Sequence, residues 1–224
     1  MPTRLCLLLC AALLAGCGSR PDSELPPAAA LAPAPSNALT AAAAGRTFTA
    51  DREAGVVRVS GGGELRTGLE PAALTTAEGD RRVAVLSVRS RLLELFDART
   101  LEKVGSADAG SGPVQVASNG ENYLYVTDAI GGSVLVFGTR PELHLVRRYG
   151  LSGTPWAIVH DERRRRLWVT LSGADRVAEL TTGRRIRRLR DYPAVEQPSA
   201  VAVDGAAVQV RGRDEVQRLE PRDR

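Results

Sequence analysis

The feature that most constrains the fold is a period. Short alternating strands that open on proline begin at Pro113 (PVQVAS), Pro155 (PWAIVH) and Pro198 (PSAVAV), with a weaker copy at Pro71 (PAALTT). The starts are separated by 42, 42 and 43 residues. A second strand follows each at a fixed offset: RVAVLSV from Arg82, YLYVTD from Tyr123, RLWVTL from Arg166 and AVQVRG from Ala207. A third comes about ten residues later, as LLELFD from Leu92, SVLVFG from Ser133, RVAELT from Arg176 and EVQRLE from Glu215. A fourth, more polar strand ends three of the units (LEKVGSA, LHLVRRY, RIRRLRD). The segment TFTADREAGVVRV from Thr47 aligns with YVTDAIGGSVLVF from Tyr125, which adds a unit starting near Pro35.

The strands are short, alternate in polarity and are rich in Val, Leu and Thr, with Gly, Asp, Ser and Pro between them. Four strands in roughly 40 residues is the size of a propeller blade. Such a blade is a small twisted sheet that covers its two faces only by stacking on neighbours. The expectation is therefore an all-β chain: a β-propeller of about five four-stranded blades, the last one short, forming a closed ring or an open arc. Closure is the favoured outcome, with an N-terminal segment supplying the strand that the last unit lacks.

The wording of the repeat adds a resemblance. LYVTDAIGGSVLVF and LWVTLSGADRVAEL resemble the YVTN-type β-propeller repeats of bacterial secreted and surface proteins. The likeness covers about residues 71–220 and is best in the middle two units. The family's Asn is replaced by Asp128 in one copy and by Leu171 in another. The resemblance implies a surface or envelope protein. It also implies an alternative activity, since some relatives are lactonases or streptogramin-lyase-type enzymes.

The N-terminus reads as an address. Arg4 precedes an apolar run from Leu5 to Leu14, and Ala15 and Gly16 follow, which is a secretory signal. The run is too short for an ordinary membrane-spanning helix. The segment LAGC (Leu14 to Cys17) resembles the bacterial lipobox, which implies cleavage before Cys17 and lipid chains on that residue. Residues 1–16 are then a lipoprotein signal peptide, residues 17–44 lipidated Cys17 and a Pro/Ala-rich tether, and residues 45–224 the β-propeller domain. Cys6 and Cys10 leave with the signal, so the mature chain has a single cysteine and no internal disulfide. By resemblance, Gly18 after Cys17 favours the outer membrane. The membrane is thus a partner through Cys17.

In a propeller the loops between strands four and one, and between strands two and three, share one mouth. The candidates there are Asp128, Asp175 and Arg176, with Asp214 and Arg89, and with Trp156 and Tyr192 as aromatic walls. The chain has only two His, His144 and His160, and no metal centre is expected. No cofactor is expected either, because no phosphate-cradling or nucleophile-elbow motif sits before a helix. The charge is unusual: 29 of 30 basic residues are Arg, and the stretch from Arg140 to Asp191 has 13 Arg against six acids. Arg163, Arg164, Arg165 and Arg166 fall in a turn, and Arg185, Arg187 and Arg188 in an outermost strand. Such a patch attracts polyanions, here anionic lipid headgroups rather than nucleic acid. The expected function is a lipid-anchored cell-envelope binding or scaffold module for a protein or envelope glycan. The alternative is a lactonase- or lyase-like enzyme using Asp128 or Asp175 at the mouth.

Overall fold

The computed structural model describes residues 39–221, so Cys17, the signal and most of the tether lie outside the described residues. The chain forms five antiparallel meanders in sequence order. The first sheet contains Thr40–Ala43 (β1), Arg46–Asp51 (β2), Val56–Val59 (β3) and Glu64–Arg66 (β4). The second contains Pro71–Ala77 (β5), Arg82–Ser87 (β6), Leu92–Asp97 (β7) and Lys103–Asp108 (β8). The third contains Pro113–Ser118 (β9), Tyr123–Asp128 (β10), Ser133–Gly138 (β11) and His144–Gly150 (β12). The fourth contains Pro155–Asp161 (β13), Arg166–Leu171 (β14), Arg176–Thr181 (β15) and Arg188–Pro193 (β16). The fifth has three strands, Ala200–Asp204 (β17), Ala207–Arg211 (β18) and Val216–Leu219 (β19).

Three of the proline starts, Pro71, Pro113 and Pro155, are the first residues of β5, β9 and β13. Proline has no N–H to give to a ladder, and the first residue of a strand tolerates that. These strands, with β1 and β17, are the inner edge of each sheet, and each meets the inner strand of the next sheet.

Stacking builds the core. The second strands of the three middle sheets are apolar on both faces because each is covered by a sheet on either side; Leu124, Tyr125 and Val126 in β10 are all fully buried. The buried side chains fall into four clusters, one at each junction between successive sheets. A closed ring of five sheets needs a fifth such junction. Among the described residues none joins the fifth sheet to the first, and the sheets form an open arc.

Closure was the favoured expectation, and side-chain polarity explains why it fails. The outward face of the first sheet presents exposed Thr40, Thr47, Thr49, Arg58 and Glu64. That of the fifth presents exposed Asp204, Arg211 and Arg218, with Arg218 paired to Asp204 at 3.2 Å. Polar end faces are how stacked repeats terminate. The expected N-terminal strand does not complete the fifth sheet either, because β1 pairs with β2. It begins at Thr40, inside the stretch expected to be tether. Alanine is a poor strand former, but Ala41 and Ala43 face the junction with the second sheet, where a small side chain fits against Phe48 and Leu74.

Candidate functional site

The arc has two faces. One holds the sheet-to-sheet linkers and the turns between second and third strands. The other holds the remaining hairpin turns. The mouth candidates belong to the linker face, and the structure ties most of them into the frame.

Asp128 is fully buried. Its carboxylate accepts N–H bonds from Gly112 (2.7 Å), Gly131 (2.9 Å) and Ser111 (3.1 Å), and one from Arg148 at 3.0 Å. A β-carbon on Gly110 or Gly131 would collide with that carboxylate, so both positions need glycine. Burial alone would raise the Asp128 carboxyl, but the N–H bonds and Arg148 outweigh it and hold it below the usual range. Asp128 thus clasps the linker between the second and third sheets.

Asp175 is exposed and accepts the Gln197 N–H at 2.8 Å, which holds the linker to the fifth sheet. Arg176, Asp214 and Arg89 are exposed. Trp156 is half-buried between the fourth and fifth sheets, and Tyr192 packs its ring on buried Trp168, centroids 5.6 Å apart. The Tyr192 hydroxyl donates to Glu179 at 3.1 Å. Both aromatics pack against the cluster between the fourth and fifth sheets.

The hairpin face carries the arginines, and the sequence-expected patch divides there. Arg164 is nearly buried, pairs with Asp161 at 2.9 Å and donates to the Ala206 carbonyl at 2.6 Å, latching the fourth sheet to the fifth. Arg166 pairs with Glu179 at 3.3 Å, and Arg188 with Asp191. Arg163, Arg165, Arg185 and Arg187 are exposed. The segment expected as one outer strand from Gly183 is a turn up to Arg187, plugged by buried Ile186, and the strand begins at Arg188.

Two tyrosines of the third sheet dock that turn. The Gly183 N–H donates to the Tyr125 hydroxyl at 2.6 Å, and the Arg188 N–H to the Tyr149 hydroxyl at 3.1 Å. Burial pushes the Tyr125 hydroxyl up to about 12, so it stays protonated. Tyr125→Phe is expected to cost about 1 kcal/mol by leaving the Gly183 N–H without its partner. Urea denaturation checks this.

The concave inner side holds a groove of about 350 Å³ across β5, β9 and β13, opening at the hairpin face. Its lining is mostly polar (Thr76, Gln115, Ser118, Asn119, His160, Glu162), with the nearly buried Leu74, Val116 and Ile158 behind it. Gln115 ties two sheets together by accepting the Ile158 N–H at 3.0 Å. Burial lowers the His160 imidazole, so it is neutral at neutral pH. Thr76, Ser118 and His160 are each the sixth residue of an inner strand, so they are the same position in three successive units. Their 42-residue spacing is the sequence signal that points to this groove. Among the described residues no three His, Cys, Asp or Glu side chains come together to hold a metal ion. The groove offers hydrogen-bonding groups to a polar ligand.

No family model and no curated protein sequence matches the chain. Solved structures do. The chain is similar to a chain of the mitotic checkpoint complex, at 13% identity and a TM-score of 0.69, covering 82% of this chain and 61% of that one. It is similar to streptogramin B lyase at 15% identity and a TM-score of 0.62, covering 78% and 61%. It is also similar to the dihydro-heme d1 dehydrogenase NirN at 16% identity and a TM-score of 0.68, covering 84% and 42%. The fold is a β-propeller, open as an arc. The propeller spans between about two fifths and three fifths of the length of these proteins. Its sheets are blades, and the groove lies where a closed propeller has its central channel.

Proposed function

We propose that the chain is a lipid-anchored propeller of the bacterial cell envelope, held in the outer membrane through Cys17, that binds an extended polar envelope component, peptide or glycan, in its concave groove. The observation that carries this reading is the lip of the groove, where three successive blades place Thr76, Ser118 and His160 at one level. Repeated hydrogen-bonding positions suit a ligand that itself repeats along its length. The lipobox-like LAGC and the YVTN-type wording of the blades support the envelope. The acids on which a lactonase- or lyase-type activity would rest, Asp128 and Asp175, are engaged in holding linkers.

The test uses the tagged full chain in crosslinked, detergent-solubilised envelopes. Thr76→Trp, which fills the groove, is expected to abolish a crosslinked adduct that the wild type forms. An unchanged adduct would move the binding site off the groove. Separately, Cys17→Ala is expected to lose palmitate labelling and membrane retention, and retained labelling would remove the anchor.

A further inference from the structure

A second cavity lies on the same face but on the outer flank. It is a cleft of about 260 Å³ between the outer edge of the third blade and the β15–β16 turn of the fourth. Its polar lining is Asn122, Tyr123, Arg140, His144 and Arg184. Asn122, Tyr123, Arg140 and Arg184 each have a side-chain group able to donate a hydrogen bond, and no carboxylate lines the cleft. The His144 ring is held in place because Nδ1 bonds the Glu142 carbonyl at 2.8 Å, and the ring lies against Gly138, where a β-carbon would collide with it.

The two arginines differ. Arg140 pairs with Glu78 at 3.2 Å. Arg184 is exposed, and its backbone is fixed from both sides: Gly183 is bonded to Tyr125, and Ile186 is buried in the junction between third and fourth blades. Exposed Arg185 and Arg187 on the same turn add positive potential, and the exposed acids Glu121 and Glu142 on neighbouring turns offset part of it.

We propose that this cleft is a binding site for a phosphate monoester or diester group, with Arg184 as its principal cation and Arg140, Tyr123 and Asn122 as further donors. A guanidinium fork matches phosphate oxygens in pairs. The volume lies just under the roughly 300–1,000 Å³ of pockets for drug-sized ligands, which suits one small group. The phosphate comes from a lipid headgroup or from a soluble phosphate ester, since the chemistry is shared. The site is separate from the concave groove and does not rest on the reading given to it.

The experiment titrates the full chain in a nonionic detergent with phenyl phosphate at low ionic strength. Saturable binding is expected, weakened roughly tenfold or more by Arg184→Gln, the loss of one charge-assisted hydrogen bond. Arg89→Gln, the same charge change on the linker face, is expected to leave binding unchanged. Phosphatidylglycerol in mixed micelles is the second arm: competition with phenyl phosphate assigns the site to a headgroup, and absence of competition to a soluble ester. Absence of saturable phenyl phosphate binding, or equal weakening by Arg89→Gln and Arg184→Gln, would overturn the site.

Discussion

Asp128→Ala is expected to destabilise the propeller by about 3–5 kcal/mol. The substitution strips three backbone N–H groups and one guanidinium of their acceptor inside the fold, and each unpaired buried donor costs about 1–3 kcal/mol. Arg148 is half exposed and recovers part of its loss from water. The same clasp predicts an acid limb. The folded carboxyl sits below its unfolded value, so its stabilisation is complete above about pH 4 and is lost as pH falls through the folded value. Asp161 shifts in the same direction, its bonds to Arg164 and Trp168 outweighing burial. Guanidinium denaturation from neutral pH down to acid checks both points. Asp128→Asn is expected to flatten the acid limb, and an unaltered limb would count against the clasp.

Trp168→Ala is expected to cost a similar amount, about 3–5 kcal/mol, the range for deleting a large buried aromatic. Trp168 is fully buried in β14, donates to Asp161 at 3.3 Å and supports Tyr192. Its cluster joins the fourth blade to the fifth, through Val201, Val208, Val210 and Leu219. The loss should therefore be felt first at one end of the arc. Hydrogen exchange is expected to accelerate across 200–219 while the second and third blades keep their protection. A uniform acceleration would mean that the arc melts as one unit.

Much of this fold was legible because it repeats. Pro113 and Pro155 mark the starts of two inner strands, and the apolar YLYV and RLWV stretches mark the strands buried on both faces. Closure was misjudged because counting strands says nothing about which faces are apolar. The signal lay in the first unit, where Thr47 and Thr49 alternate outward from Phe48. The arginine run divides into paired and exposed members. The spacing of Asp161 to Arg164 and of Arg188 to Asp191, three residues each, pairs cations locally. The two cavities were hidden for a different reason: each gathers residues tens of positions apart, and only stacking of blades brings them together.

The polar faces at the two ends of the arc have a topological meaning. A closed ring encircles its channel, so a long ligand must be threaded through by a free terminus. Among the described residues nothing bridges β1 and β17, so the inner strands are reachable sideways between them. Under the proposed function, a polymer with no accessible terminus, such as a crosslinked strand, would be laid into the groove and lifted out again without being cut.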